Sequence, residues 1–327
     1  MSKSLVMRRK KELRMTTALM ELVDVLKRVA ASQFHALDEK RQGLDWKKGD
    51  MAAGGEHPTA AQGEPVWEAA MAQPEAEGPP LFFPVVLEDF FRLIPLQQWR
   101  HPFLERPSPP LGIVIVASDE GFLGGLNAAV IQKALSARGG QQAELMVLGE
   151  QGRIYLEDLN EPVTHFPGVG EHVASWGVAR LRDYIVAQYL RRKFGRVLVF
   201  YPRSLSFTHQ EVESFQLLPY ERLPQSLDLV FSDPREIILE PSAYSIIEYL
   251  IQLWLARKIH ELFWESKLSE LAARAMHLEK SFQELAEQKK KLTLQYFRSL
   301  HEVTDASIRE SYAGVVSRKR EVLRRHT

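Results

Sequence analysis

The sequence predicts an α/β protein in which a long helix at each end of the chain pairs with the other as an antiparallel coiled coil, beside a small parallel α/β domain. Three observations lead to this fold class. Helical apolar stripes of unusual length occupy residues 5–42 and roughly the last eighty residues. Between them, apolar β-branched runs alternate with helical patterns, which is typical of a parallel sheet covered by helices.

The N-terminal stripe predicts one amphipathic helix over residues 5–42. No proline or glycine interrupts it before Gly43, and charged residues occupy its opposite face. A helix of about thirty-eight residues exceeds the ordinary length of helices in globular proteins, so we expect it to pair with a second long helix. Its apolar positions are Leu19, Leu22, Val23, Leu26, Val29, Ala30, Phe34 and Leu37.

Residues 43–80 differ in composition, because proline, glycine and alanine replace the helical pattern. Such a composition disfavours both helix and strand, and it predicts a mobile loop or linker. The apolar residues between Leu81 and Gln98 are sufficient for a short buried helix with Pro95 near its end.

From residue 111 onward, predicted strands alternate with predicted helices. The predicted strands are Gly112–Ala117, Leu145–Leu148, Arg196–Tyr201 and Ile237–Leu239, and the predicted helices are Asn127–Arg138 and Val178–Phe194. Because these strands are apolar on both faces, they indicate a small Rossmann-like parallel sheet. The predicted domains are the first coiled-coil helix at 1–42, the loop at 43–80, the α/β domain with its leading helix at 81–241, and the second coiled-coil helix at 242–327.

The C-terminal stripe predicts a helix from about Tyr244 to Arg325. Proline is absent after Pro241 and the only glycine is Gly314, so nothing in the sequence stops the helix early. At 1.5 Å per residue, about eighty helical residues would extend roughly 120 Å, more than the diameter of a domain of this size. The stripe therefore needs a partner outside the domain. It contains Leu268, Leu271, Ala275, Met276, Leu278, Phe282, Leu285, Leu292, Tyr296, Leu300, Val303, Ile308, Tyr312 and Val315.

Composition and charge exclude several classes of protein. Lysine plus arginine and aspartate plus glutamate each number 42, and the resulting net charge of zero argues against a general nucleic-acid binder. Both chain ends are nevertheless basic, which fits either a shared environment or solvated helix ends. The absence of cysteine excludes a disulfide scaffold, thiolate metal sites and a cysteine nucleophile. The longest apolar cluster, at 246–255, is too short and too polar to span a bilayer, and no secretory signal is expected.

The most motif-like stretch is Ser118–Asn127, between the first strand and its helix. Glycines at such a turn can bring backbone N–H groups and a helix N-terminus up to a phosphate. The glycine spacing is neither G-x-G-x-x-G nor that of a P-loop, so a structural turn is favoured over a nucleotide site. The ten histidines show no metal-ligand spacing, and almost all carboxylates lie beside lysine or arginine on helix faces. We therefore predict no catalytic residue, cofactor or metal ion.

Several short motifs occur in a fixed order along the chain. Ser118–Asn127 is similar to S-D-R-G-L-C-G-G-L-N, Arg100–Leu104 to R-H-P-F-L, and Val29–Ser32 to the start of V-A-A-S-K. Further matches are Gln216–Pro219, Glu240–Pro241, Ser269–Met276 and Leu292–Tyr296. In this order the motifs resemble those of the gamma subunit of F-type ATP synthases, over most of the chain apart from residues 43–98. The matching residues of the glycine motif are Ser118, Asp119, Gly121, Gly124, Gly125, Leu126 and Asn127.

The chain also departs from that family at several positions. The arginine of the glycine motif is Glu120 here, and the lysine that follows V-A-A-S is Gln33. The family's R-Q-A-x-I-T-x-E segment falls on residues 300–307, where most of its polar residues are replaced. A basic end that begins at Ser317-Arg318 replaces the family's small apolar tip. These departures indicate a divergent or alternative-lineage member.

The resemblance implies a central-stalk rotor that couples ion flow through a membrane ring to ATP synthesis or hydrolysis in a catalytic head. Its implied partners are the alpha and beta head subunits, the epsilon subunit and the membrane c-ring, with no nucleic acid and no direct bilayer span. Its implied place is the periphery of a bacterial inner membrane, on the cytoplasmic face. The chain itself would be a non-catalytic subunit without a cofactor. The shaft residues implied to contact the head are Leu19, Leu26, His301, Thr304 and Asp305.

Two other classes of function stay open from the sequence. One is a coiled-coil scaffold, or a degenerate gamma paralogue, in a different complex, and the altered C-terminus supports it. The other is a nucleotide-binding enzyme that uses Ser118–Asn127. The driving ion, H⁺ or Na⁺, cannot be read from this chain, because the ion ligands of such a complex lie in other subunits.

Overall fold

The computed structural model describes residues 2–52, 101–104, 110–170, 175–220, 240 and 242–324. A long helix lies at each end of the chain, α1 (Ser2–Ala52) and α5 (Ala243–Arg324), and a 3₁₀ helix covers Pro102–Leu104. The shorter helices are α2 (Leu126–Arg138), α3 (Glu150–Asp158) and α4 (Ser175–Leu190). The strands are β1 (Leu111–Val116), β2 (Ala143–Leu148), β3 (Val163–Phe166), β4 (Arg196–Ser206) and β5 (His209–Leu218).

The strands form one sheet in the order β3-β2-β1-β4-β5. β1 lies at the centre and pairs in parallel with β2 and β4, and β3 continues the parallel sheet beyond β2. All six residues of β1 are buried, as expected for a strand that is covered on both faces. The predicted Rossmann-like parallel arrangement is confirmed for these four strands.

β5 is a strand that the sequence pattern does not reveal, and it runs antiparallel to β4. It lies at the sheet edge, and only its last two residues are fully buried, so it lacks the apolar run that identifies a central strand. α3 and β3 escape prediction for a related reason, since they contain only nine and four residues. The sheet is therefore mixed, with one antiparallel edge strand, and not wholly parallel as the sequence predicted.

Alternate residues of β1 enter two hydrophobic cores. Val114 and Val116 belong to the larger core, together with residues of α4 and the part of α5 between Ile247 and Trp264. Ile113 and Ile115 belong to the smaller core, which α2 and α3 supply. Full burial of one such side chain contributes about 1.5–3 kcal/mol, so these two cores hold the helices against the sheet.

The chain divides into two compact units, residues 31–274 and residues 1–30 with 275–327. In the first of these, Phe34 of α1 packs with Leu268, Leu271 and Ala272 of α5. Seven residues further along α1, Arg41 Nη1 lies 3.3 Å from Glu265 Oε1, seven residues earlier in α5 than Ala272. Residues later in α1 therefore contact residues earlier in α5, so the two helices run antiparallel. The predicted antiparallel pairing of the terminal helices is confirmed.

α1 continues for ten residues beyond residue 42, where the sequence predicted its end. Gly43 does not stop the helix, because one glycine costs only about 1 kcal/mol relative to alanine in a helix interior. The rest of the predicted loop from residue 53, the helix predicted at Leu81–Gln98 and the strand predicted at Ile237–Leu239 lie outside the described residues. The division into domains at 1–42, 43–80, 81–241 and 242–327 stays a prediction.

Candidate functional site

The two long helices pair through a heptad seam in the unit formed by residues 1–30 and 275–327. Buried and half-buried residues recur on both helices at alternating steps of three and four, as in a coiled coil. On α1 the seam residues are Val6, Arg9, Leu13, Thr16, Met20, Val23, Lys27 and Ala30. On α5 they are Ala275, Leu278, Phe282, Leu285, Lys289, Leu292, Tyr296, Ser299, Val303 and Ala306.

Lys27 lies in this seam and joins the two helices. Its Nζ is 3.0 Å from Asp24 Oδ1 in the same helix and 3.0 Å from Glu279 Oε2 in α5. The ammonium also lies 4.5 Å from the ring centroid of Phe282, within range of a cation–π interaction. Hydrogen bonds to Glu279 and Asp24 raise the pKa of Lys27, and the hydrogen bond from Lys27 lowers the pKa of each carboxyl group. A charged seam residue with these partners favours one register of the two helices over others.

The predicted contact residues Leu19 and Leu26 lie outside the seam. They are 47% and 38% exposed, and they belong to a second apolar stripe that runs one position before the seam residues of α1. The exposed stripe consists of Met15, Leu19, Leu22, Leu26 and Val29. α1 therefore carries two apolar stripes, and α5 covers only one of them. A contiguous exposed apolar surface of this kind marks an interaction site.

The other predicted contact residues, His301, Thr304 and Asp305, are exposed on α5. Thr304 Oγ1 donates a hydrogen bond to the carbonyl oxygen of Leu300, 3.0 Å away, which is an interaction within the helix. In the described part of the chain, none of the three forms an ion pair. They form a polar band between exposed apolar side chains of the same helix, which are Leu294, Phe297 and Leu300 before it and Ile308, Tyr312 and Val315 after it.

The structure does not bring all the predicted residues into one cluster. Leu19, Leu26, His301, Thr304 and Asp305 belong to the unit of residues 1–30 and 275–327, and the glycine motif belongs to the unit of residues 31–274. The two groups are therefore two separate candidate sites, a shaft surface and a turn.

The turn that follows β1 is held by hydrogen bonds among its own residues. The hydroxyl of buried Ser118 donates to the carbonyl oxygen of Glu120, 2.8 Å away, and accepts from Asn127 Nδ2 at 2.9 Å. Two residues of the turn have positive φ, Gly124 at 61° and the exposed Phe122 at 64°. Glycine adopts this conformation without strain, whereas phenylalanine does so at a cost of about 1 kcal/mol or more.

Asp119 connects the turn to two other loops at the carboxyl edge of the sheet. The backbone N–H groups of Glu150 and Gly168 donate to its Oδ1 at 3.0 Å and 3.2 Å. Glu150 is the first residue of α3, so this carboxylate lies at a helix N-terminus, where negative charge is stabilised. A Cβ atom added at Gly168 would lie 2.6 Å from the carboxyl carbon of Asp119, so any larger residue there would require the Asp119 side chain to move. An internal carboxylate thus occupies the anion position of α3, which supports a structural role for this part of the motif.

Glu120 joins the turn to α5 through an ion-pair network. Arg274 Nη1 lies 2.9 Å from Glu120 Oε2, and Arg274 Nη2 lies 2.6 Å from Glu270 Oε1. Lys267 Nζ is 3.1 Å from the same oxygen of Glu270. The Glu120 side chain is 73% exposed, so its pair with Arg274 contributes less than about 1 kcal/mol. The Lys267–Glu270 pair is buried, and removing Glu270 would take this partner from the buried ammonium of Lys267, whereas Glu270 would keep Arg274 if Lys267 were removed.

Sequence reasoning missed the separation of the two stripes on α1, because it merged seam and exposed positions into one apolar face. The position of Lys27 was the available signal, since a lysine with a carboxylate three residues earlier is typical of a helix face that carries an ion pair.

Among the described residues, no group of three or more metal-ligating side chains could hold a metal ion. No described helix is both long enough and apolar enough to cross a membrane.

Comparison with known proteins identifies relatives of this chain. Residues 84–308 match the family model described as ATP synthase. The ATP synthase gamma chain of Symbiobacterium thermophilum is 28% identical over 220 residues, which cover 65% of this chain and 75% of the relative. The fold is similar to a chain in the rotor of Euglena gracilis mitochondrial ATP synthase, with a TM-score of 0.59, 12% identity and coverage of 92% of this chain and 99% of that one. A chain in the OSCP/F1/c-ring structure of the same ATP synthase gives a TM-score of 0.63, with 12% identity and coverage of 96% and 95%.

Proposed function

Because this chain belongs to the ATP synthase gamma-chain family, we propose that it is the central-stalk rotor subunit of an F-type ATP synthase. In this role it couples ion flow through the membrane c-ring to ATP synthesis or hydrolysis in the head. Its partners are the alpha and beta head subunits, the epsilon subunit and the c-ring. The relatives named gamma chain and the rotor fold of the Euglena gracilis structure support this assignment.

The observation that carries the proposal is the apolar outer surface of the paired helices. Leu19 and Leu26 on α1, and Phe297 and Ile308 on α5, are large side chains that the pair does not cover. An isolated coiled coil has its charged residues outward and its apolar residues inward. Here, three seam positions hold Arg9, Lys27 and Lys289, while Leu19 and Leu26 lie outside the seam. A shaft that is enclosed by other subunits accounts for this distribution, because its outer surface is then buried as well.

The proposed mechanism is mechanical. The exposed stripe of α1 and the exposed side of α5 differ in shape and chemistry, so surrounding subunits that contact different sides of the shaft adopt different conformations. Rotation of the shaft then changes nucleotide affinity at each head site in turn, by stabilising one conformation over another. The chemistry of ATP belongs to the head subunits, and this chain supplies the differential contacts.

Within this proposal, Leu19, Leu26, His301, Thr304 and Asp305 contact the head subunits. The polar band of His301, Thr304 and Asp305 would lie where the apolar contacts are interrupted, and it would supply hydrogen bonds during rotation. Ser118, Asp119, Gly121, Gly124, Gly125, Leu126 and Asn127 keep a structural role in which they shape the turn beside α5. The named bacterial relative supports a location at the cytoplasmic face of a bacterial inner membrane, with the chain peripheral to the bilayer.

Reconstitution tests the proposal. The purified full-length chain should show no ATPase activity, and its addition to alpha and beta subunits from the same organism should give a complex that hydrolyses ATP. In the complete membrane-embedded complex, that hydrolysis should pump ions across vesicles. ATP turnover by the isolated chain, or head subunits whose activity does not respond to it, would contradict the assignment.

A further inference from the structure

The hairpin of β4 and β5 carries a bulge just before its tip. The two strands pair antiparallel as far as Ser206 and His209, which are joined by a two-residue turn that begins with Phe207. The register shifts between Ser204 and Ser206, so Leu205 has no cross-strand partner in the ladder. Such a bulge bends a strand and changes the direction of the side chains that follow it. The bulge therefore helps to set the direction of Phe207.

Phe207 packs against a cluster that joins the two long helices. This junction cluster consists of Phe34 of α1 with Leu268, Leu271 and Ala272 of α5, and all four side chains are buried. The ring centroids of Phe207 and Phe34 lie 5.0 Å apart with the ring planes at 75°, an edge-to-face arrangement that is favourable for aromatic rings. The tip of the hairpin therefore packs where α1 and α5 meet.

The turn holds Phe207 in this position through its own hydrogen bonds. Gln210 Nε2 donates to the carbonyl oxygens of Phe207 and Ser206 at 3.0 Å and 3.2 Å. The backbone N–H of His209 donates to Ser206 Oγ at 3.1 Å. On the helix side, the His35 ring stacks on the Phe207 ring with the centroids 6.0 Å apart and the planes at 8°. Phe207 thus lies between a hydrogen-bonded turn and two neighbouring rings of α1.

Cross-strand pairs further from the tip connect the two strands of the hairpin. Tyr201 lies opposite Glu213, and its hydroxyl donates to Glu213 Oε2 at 3.0 Å. Arg203 Nη1 lies 2.9 Å from Glu213 Oε1. Because pairs of this kind stabilise neighbouring strands, we expect the hairpin to move as one body with the sheet to which β4 belongs.

The α/β domain holds the two long helices in different ways. α5 contributes the residues from Ile247 to Trp264 to the larger core, whereas α1 contributes the half-buried Leu37 to that core and Phe34 to the junction cluster. Packed helices that contact mainly each other can slide by small amounts. Contact of both helices with a third element at the same place opposes such sliding, because all three elements must then move together.

We propose that Phe207 is a positioning residue that fixes the junction cluster to the α/β domain, so that α1 and α5 turn together with that domain. The inference rests on the proposed function for the rotation itself. It adds a path along which force passes from the sheet through the β4–β5 hairpin to α1. Because Phe207 is half-buried and lies in the turn beyond the paired strands, its loss should change coupling more than it changes the stability of the fold.

Distance measurements on the isolated full-length chain test the positioning directly. The chain has no cysteine, so spin labels attach only at two introduced residues, Glu39→Cys on α1 and Asp158→Cys at the end of α3, both at exposed positions. We expect Phe207→Ala to broaden the distribution of distances between the labels. The matched control is Leu205→Ala, which removes an exposed side chain from the same hairpin and should leave the distribution unchanged. An unchanged distribution in Phe207→Ala, or equal broadening in both variants, would overturn the inference.

The complete membrane-embedded complex measures the consequence for coupling. With Phe207→Ala, we expect ATP hydrolysis at close to the parent rate but about twofold fewer ions pumped per ATP hydrolysed, because α1 no longer follows the domain closely. Phe207→Leu keeps an apolar contact with the junction cluster and should restore most of the coupling. Leu205→Ala should couple like the parent.

Three further results decide between positioning and a merely structural role. Circular dichroism should show that all variants keep the helical content of the parent chain. A proportional loss of hydrolysis and pumping in Phe207→Ala, with an unchanged ratio of ions to ATP, would overturn the inference. Absence of pumping with the parent chain would instead contradict the proposed function, whereas the distance distributions would still show whether Phe207 holds α1 to the domain.

Discussion

At the scale of single residues, Asp119 is the polar side chain that fixes the glycine-rich turn. It is exposed, yet its Oδ1 accepts hydrogen bonds from two backbone N–H groups in different loops. Hydrogen bonds to a charged acceptor are worth about 1.5–3 kcal/mol when buried and less when water competes. The motif thus acts through one carboxylate and the close approach of the loop at Gly168.

We expect Asp119→Ala to lower the free energy of unfolding by about 1–2 kcal/mol, because the N-terminus of α3 and the loop at Gly168 lose their common acceptor. Urea unfolding of the full chain, followed by tryptophan fluorescence, measures the change. Asp158→Ala, which alters an exposed residue at the other end of the same helix, is the control and should shift stability by less than about 0.5 kcal/mol. Equal stability of the two variants would remove Asp119 from this role.

His101 is a second residue with a local effect that can be measured. It is almost completely buried against Phe103 and Tyr244, and its Nδ1 accepts a hydrogen bond from the backbone N–H of Phe103 at 3.2 Å. Burial lowers the pKa of His101 from 6.5 to about 4, because the cation would be desolvated. In the unfolded chain the same residue takes up a proton near pH 6.5, so acid favours unfolding.

The stability contributed by neutral His101 should therefore be complete above pH 6.5 and decrease as the pH falls toward 4. Between pH 7 and pH 5 the loss should be about 2 kcal/mol. Urea titrations at the two pH values measure it, with His101→Gln as the comparison, since that variant cannot gain the proton. Carboxyl groups whose pKa is lowered in the folded protein change its free energy of unfolding mainly below pH 5. They therefore add little to the difference between pH 7 and pH 5. A parent and a variant with the same pH dependence would show that His101 is not the group that titrates.

At the scale of elements, α1 and α5 are held by a seam that is less apolar than that of a typical coiled coil. Polar or charged side chains occupy Arg9, Thr16 and Lys27 on one side and Lys289 and Ser299 on the other. Such residues lower the stability of a coiled coil while they restrict its register. Most of the stability of α5 must then come from the part that packs on the sheet, where the residues from Ile247 to Trp264 enter the larger core.

Variants of Lys27 separate the contributions of its charge and its aliphatic chain. We expect Lys27→Ala to reduce the stability of the helix pair by about 1–2 kcal/mol, since the ion pairs, the contact with Phe282 and the packing are all lost. Lys27→Met should cost less than about 1 kcal/mol, because apolar packing replaces partly exposed ion pairs. Thermal melting followed by circular dichroism at 222 nm measures both, with Lys280→Ala at an exposed position of α5 as the control. If Lys27→Met is as unstable as Lys27→Ala, the ion pairs and not the packing dominate.

At the scale of the whole molecule, one feature of the outer surface defines the proposed rotor. It is the exposed apolar stripe of α1. A shaft that slides within a complex does not require a strongly hydrophobic exterior, yet large apolar side chains of α1 and α5 are exposed here. Contact with the head is therefore expected to bury large apolar side chains.

We expect the double variant Leu19→Ser, Leu26→Ser to fold like the parent, because both side chains lie outside the seam, but to weaken the coupling of the reconstituted complex. Loss of two partly exposed leucines removes about 2–4 kcal/mol of apolar burial at an interface. The measurement is ion pumping per ATP hydrolysed in vesicles, and Glu21→Ser on the exposed surface of the same helix is the control. Unchanged coupling in the double variant would exclude Leu19 and Leu26 from the contact with the head.

Much of the molecule was predictable from local patterns. The buried strand at 112–117 and the unbroken stripe of α5 are signals that a few neighbouring residues carry by themselves, because apolar periodicity follows directly from the geometry of strand and helix. The glycine turn was also identifiable from the sequence, although the role of Asp119 at the N-terminus of α3 was not. β5 could not be predicted from apolar periodicity, because an edge strand with one solvated side has no continuous apolar run.

The α/β class, the two long terminal helices, the positions of three central strands and the resemblance to gamma subunits follow from the sequence alone, because all of them rest on short-range patterns. Tertiary structure decided which of the two stripes on α1 is covered, that Lys27 lies between the helices, and that Asp119 fills the anion position at α3. These outcomes depend on residues between thirty and more than two hundred positions apart in the chain. No local pattern encodes such partners, because they are selected by how whole elements pack.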